Sequence, residues 1–154
     1  MDEIKINKLI FPNAILLGET ERLLDEGRKV TILVKGNSML PFITGDKDSV
    51  ELEKYLEYQI GDIVLARIAE GQYVLHRVIF IEGNQPDAKV VLMGDGNIRG
   101  MEQCYRKHII GRVNKIIKKN KEINPNTPEE RKKARLWKRL LPVRRWILAI
   151  YKRI

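Results

Sequence analysis

The chain has 154 residues, 44% of them hydrophobic, and a single cysteine, which is enough for one domain with a real core and excludes a disulfide scaffold. Its formal net charge of +9 is unevenly held: residues 1–111 carry 14 basic and 17 acidic side chains, whereas residues 112–154 carry 15 and 3. No run approaches the roughly 18 apolar residues of a membrane span, the first residues match neither a secretory nor a transit peptide, and Cys104 and His108, with only His76 besides, offer no zinc site, so neither metal nor cofactor is expected.

Asn13 to Glu26 places Leu16, Leu17, Leu23 and Leu24 at helical spacings and stops at Gly27, which predicts a short helix closing an N-terminal segment over 1–27. From Lys29 the pattern changes. Val30, Ile32 and Val34 alternate with Thr31, Leu33 and Lys35, a strand that feeds the turn Gly36-Asn37-Ser38-Met39-Leu40-Pro41. After the polar turn Thr44–Asp48, strands are predicted over Ser49–Glu53, Asp62–Ile68, Gln72–Glu82, Lys89–Met93 and Ile109–Ile117, separated by Gly, Asn and Asp turns. Such an order predicts a mainly β domain over 28–117, for which a coiled β-barrel is one arrangement. Residues 118–128, with four Lys or Glu, three Asn and two Pro, are expected to form an exposed linker. Thr127-Pro128-Glu129-Glu130 then starts a helix, with a cap, a first-turn proline and acids beside the N-terminus, opening a basic tail over 129–154.

Three residues in the β region have the chemistry of an acyl-transfer site. Ser38 sits where a strand ends, in a turn able to hold its hydroxyl out of the sheet. His76 lies within the apolar run Val74-Leu75-His76-Arg77-Val78-Ile79, and imidazole is the side chain best suited to take a proton near neutral pH. Asp95, in Met93-Gly94-Asp95-Gly96-Asn97, could orient that imidazole. Each has a plainer reading: Ser satisfies local backbone donors, His packs in a core, and Asp between glycines makes a turn.

In this order, however, the residues resemble the type I signal peptidases and the related self-cleaving repressor peptidases. Gly36-Asn37-Ser38-Met39-Leu40-Pro41 is similar to the nucleophile box, Ile60-Gly61-Asp62-Ile63-Val64 to the box after it, Leu75-His76-Arg77-Val78 to the base box, and Gly94-Asp95-Gly96-Asn97 to the last; Ile110-Gly111-Arg112-Val113 resembles the closing strand. The resemblance covers about residues 28–117 and implies the family's coiled β fold, a peptide or protein substrate with small residues at the cleavage site, Ser38 as nucleophile and His76 as general base, as in the endoplasmic-reticulum and archaeal branch. It implies an acid for His76, with Asp95 preferred and Glu102 the alternative. Met39 is expected to face substrate, and Asn37 to contact it or to assist the Ser38 N–H as an oxyanion donor, since Gly36 stands where many bacterial members carry a second hydroxyl. Asp62 is expected to serve structure. Neither the N-terminal anchor of the membrane-bound members nor the helix-turn-helix of the repressors is expected here.

In the tail, Leu136, Leu140, Val143, Ile147, Ile150 and Ile154 recur at intervals of three and four, flanked by Arg and Lys, with a break expected at Pro142. A basic amphipathic helix with Trp can lie on an anionic membrane, bind a partner or pack on its own domain. Membrane contact through 131–154, on the cytoplasmic face, is the preferred expectation, and nucleic acid is not expected because the body is slightly acidic and lacks a base-reading motif. The sequence thus points to a serine peptidase at a membrane surface, with a catalytically weak peptide-binding module of the same fold as the alternative.

Overall fold

A computed structural model describes residues 3–6 and 13–152, with side chains described from 15 to 151. The strands are β1 (Glu3–Ile6), β2 (Lys29–Leu33), β3 (Ser49–Glu53), β4 (Ile63–Ala69), β5 (Gln72–Ile81), β6 (Lys89–Met93), β7 (Glu102–Tyr105), β8 (Ile109–Ile117) and β9 (Glu122–Ile123). The helices are α1 (Asn13–Asp25), α2 (Pro128–Arg139) and α3 (Arg144–Lys152). The predicted strands are present. β1, β7 and β9 were not predicted, being four, four and two residues long and too short to show a period.

The strands form one sheet in the order β1-β2-β3-β8-β4-β5-β6-β7, with β9 on β8. All pairings are antiparallel except β1 with β2. The class is mainly β, as expected. Among the described residues no pairing joins β7 to β1, so the sheet is open and a closed barrel is not formed by its hydrogen bonds. It is bent instead, by register shifts at Glu51/Leu52, Leu65/Ala66, Arg67/Ala69 and Val78/Phe80.

Central strand β4 explains why the sequence runs Ile63-Val64-Leu65-Ala66 without a polar alternate. Ile63 and Leu65 enter a core with Leu24, Val30, Leu52 and Val113, while Val64 and Ala66 enter another with Tyr58, Val78, Val90 and Leu92. A strand buried on both faces needs apolar residues at successive positions. α1 packs Leu23 and Leu24 into the first core and ends as predicted: the Gly27 N–H donates to Leu24 O at 2.9 Å and the Arg28 N–H to Leu23 O at 3.2 Å, with Gly27 at φ 86°.

Two features of the C-terminal third add to the sequence reading. Residues 118–128 are not merely an exposed linker, because β9 turns back onto β8, Pro125 is buried and the Asn126 side-chain amide donates to Val113 O at 3.0 Å. The tail is also docked on the body. Thr127 caps α2 by accepting from the Glu130 N–H at 3.3 Å, a 3-10 turn at Leu141–Val143 makes the break expected at Pro142, and Trp137 and Leu148 pack with Leu40 in a third small core. The Trp137 Nε1–H donates to Asp95 O at 2.7 Å, and Arg131 pairs with Asp62 at 2.6 Å. The inward face is therefore Ala134, Trp137, Arg144 and Leu148, whereas Leu136, predicted on the apolar face with Leu140 and Ile147, points out along with Trp146 and Ile150. A single straight helix cannot continue through the Pro142 break, so the faces of α2 and α3 do not share one line. Ile154 lies outside the described residues.

Candidate active site

Ser38 follows β2 in a tight loop: the Leu40 N–H donates to Asn37 O at 3.2 Å, and the Phe42 and Ile43 N–H groups both donate to Met39 O at 3.0 Å. Across from it lies the connection between β6 and β7. Its Gly96 N–H donates to Ser38 O at 2.7 Å. A Cβ on Gly94 would stand 2.3 Å from Ser38 O, and one on Gly96 2.6 Å from Asn37 O. The glycines around Asp95 are thus required by direct backbone contact between two loops, one of which carries Ser38.

His76 is 6% exposed and sits on β5 opposite Val64 of β4. Its Nε2 lies 3.1 Å from Ser38 Oγ and its Nδ1 2.6 Å from Glu102 Oε1. In the neutral tautomer that puts the imidazole proton on Nδ1, facing the carboxylate, Nε2 accepts from the Ser38 hydroxyl. This is the relay geometry of a nucleophile, a base and an orienting acid.

The preference for Asp95 as that acid is corrected. Its two oxygens accept from Arg77 Nε and Nη2 at 2.8 and 2.7 Å, both side chains being nearly buried, while both nitrogens of the imidazole are engaged by Glu102 and Ser38. Glu102 reaches it through register. Val78 of β5 faces Leu92 of β6, which faces Glu102 of β7, so Glu102 shares the sheet face of His76, two residues from Val78, and its length spans the remaining distance. The longer side chain of Glu102 is what closes the gap to Nδ1.

Met39 is also corrected. It is 1% exposed within the first core, and its Sδ accepts from the Asp95 N–H at 3.4 Å, so it supports the loop from beneath and does not face substrate. Asn37 is exposed beside Ser38. Asp62 has the structural role expected, fully buried and accepting from the Gln59 N–H and from Arg131.

Two further groups were not singled out from the sequence. Arg77, next to His76 in the base box, anchors the Asp95 loop. The Asn97 Nδ2 and the His76 Nε2 both lie about 3 Å from where a Cβ on Gly94 would be, which places a carboxamide within about 6 Å of the imidazole. The Ser38 N–H makes no hydrogen bond to any described residue. Beside Ser38 and His76 is a cavity of about 210 Å³, walled by Leu16 and Leu17 of α1, Val34 after β2, and Tyr73 and Leu75 of β5. Among the described residues no cluster of His, Cys, Asp and Glu could hold a metal ion. Burial pushes the Cys104 thiol up to about 11, far from nucleophilic use. Comparison of the chain with protein-family models and with curated proteins finds no match, so motif resemblance and site geometry are the grounds for a functional reading.

Proposed function

We propose that the chain is a serine endopeptidase of the signal-peptidase-like type, its bent open sheet a variant of that family's coiled barrel. The observation that carries the reading is the unbroken sequence of hydrogen bonds from Ser38 through His76 to Glu102, supplied by three separate parts of the chain. Ser38 Oγ attacks the peptide carbonyl carbon as its proton passes to His76 Nε2. The imidazolium, held by Glu102, then protonates the leaving amine, and an acyl-enzyme on Ser38 remains. Water attacks that ester with His76 again taking the proton, releasing the new carboxylate. The free Ser38 N–H and the Asn97 carboxamide are the donors available to the oxyanion. An extended peptide would lie along the apolar cavity beside β5, with small residues next to the scissile bond by family resemblance.

Peripheral contact with a membrane is part of the same proposal. No described helix is long and apolar enough to cross one, but Leu136, Trp146 and Ile150 are 59, 62 and 66% exposed among Arg and Lys of α2 and α3, a composition suited to an anionic interface. The decisive experiment for the chemistry is covalent labelling by a fluorophosphonate. Wild type should label, while Ser38→Ala and His76→Ala should not, with unchanged circular dichroism. Wild type that never labels, even with short peptide fluorophosphonates able to enter the groove, would leave only the peptide-binding alternative.

A further inference from the structure

A second cavity, of about 540 Å³, lies between the β6–β7 connection and α2, and neither Ser38 nor His76 lines it. Its apolar wall includes Ile79, Met93, Ile98, Met101, Trp137 and Leu141. Its ionisable lining is Arg77, Arg99, Arg131, Arg135, Lys138 and Arg144 against one carboxylate, Asp95. Asp95 is held by Arg77, and Arg131 by Asp62. The side chains of Arg99, Arg135 and Lys138 have no ion pair or hydrogen bond to any described residue.

Arg144 is buried in the cavity wall, its guanidinium 5.1 Å from the centre of the Trp137 ring. It is 4% exposed; Nη1 donates to Asn97 O at 2.9 Å, Nη2 to Trp137 O at 3.3 Å, and Nε has no hydrogen-bond partner. Both acceptors are neutral carbonyls. Burial therefore holds the guanidinium below its ordinary pKa, with the charge on Asp95 opposing this and that on Arg77 adding to it. A buried cation with an idle donor is stabilised by an anion.

We propose that this cavity binds an anionic membrane phospholipid, one acyl chain on the apolar wall and the phosphate between the unpaired side chains of Arg135 and Lys138, in the field of the buried Arg144. Its volume is that of a small-molecule site, and it joins an apolar wall to a cationic rim. A free phosphate would use the cations and leave the wall in water, whereas an extended peptide would bring backbone groups that this wall cannot satisfy. Ile98, Met101 and Leu141, which line the cavity, are 45, 59 and 38% exposed, so the wall opens to the surface from which a lipid would enter. The inference rests on the proposed membrane contact but assigns a discrete site, not a face.

The test uses the full chain carrying Trp146→Phe, so that Trp137 in the cavity wall reports. Dihexanoyl phosphatidylglycerol below its micelle concentration should give a saturable fluorescence change, with dihexanoyl phosphatidylcholine and inorganic phosphate at least about tenfold weaker, and Arg135→Gln and Lys138→Gln should each weaken binding roughly fivefold. Both residues are exposed, so neither change threatens folding. Leu136→Ser with Ile150→Ser should reduce sedimentation with phosphatidylglycerol vesicles and leave the monomer titration unchanged. An equal response to the two lipids or to phosphate, or one indifferent to Arg135 and Lys138, overturns the assignment. Vesicle binding without a saturable monomer response leaves surface contact standing and removes the cavity site; absence of both removes both.

Discussion

Two acids lie close to the site, and exchanging each for its amide should damage the protein in different ways. In Glu102→Gln the amide oxygen can still accept from the His76 Nδ1–H, so the shape persists and the charge is lost. A hydrogen bond to a charged group contributes about 1.5–3 kcal/mol against about 0.5–1.5 for a neutral one. The imidazolium formed during attack also loses an attraction of about 4 kcal/mol at 4 Å for an effective dielectric near 20, which we halve because the Glu102 side chain is 25% exposed. The two losses together are about 3 kcal/mol, or roughly a hundredfold in acylation rate, with little change in melting temperature. Asp95→Asn removes the partner of Arg77 where the side chains are 6 and 10% exposed. Leaving one buried charge alone costs about 3–5 kcal/mol, a fall of about 10 °C or more in melting temperature for a chain of this length. Labelling rates per folded molecule, with thermal melts of the same samples, separate the two. If Asp95→Asn labels a hundredfold slower at wild-type stability while Glu102→Gln labels normally, the assignment of the acid is refuted.

Gly94→Ala should abolish labelling and destabilise by about 1–3 kcal/mol, because its Cβ would stand 2.3 Å from Ser38 O and 3.0 Å from His76 Nε2; a fully labelled, stable variant would contradict the loop contact. Asn97→Ala should lower kcat by about 10²–10³ with KM little changed if the carboxamide meets the oxyanion, and steady-state kinetics on a peptide ester decide it. Cys104, with its thiol raised by burial from 9.0 to about 11, should react with iodoacetamide at pH 8 about two orders of magnitude more slowly than in the unfolded chain. Because the folded chain keeps a proton that the unfolded chain gives up, stability should also fall as pH rises from about 9 to 11, as urea titrations would register.

What the amino-acid order determined by itself was whatever depends on neighbours along the chain. The end of α1 at Gly27, the Thr127 cap of α2, the strands from alternation, the break at Pro142 and the candidacy of Ser38 and His76 all rest on local backbone preference or on motifs a few residues long. Tertiary structure decided what depends on pairing. Which acid meets His76 follows from the register of β5, β6 and β7, and β7 is too short to announce itself. Arg77, adjacent to His76 in sequence, takes Asp95 out of contention. Met39 is drawn into the core by the turn that presents Ser38, so its place beside the nucleophile did not imply exposure. The tail's hydrophobic spacing was visible, but not its division into inward Trp137 and Leu148 and outward Leu136 and Trp146. A periodic pattern states that a face exists, and only the surface it meets determines how much of that face is covered.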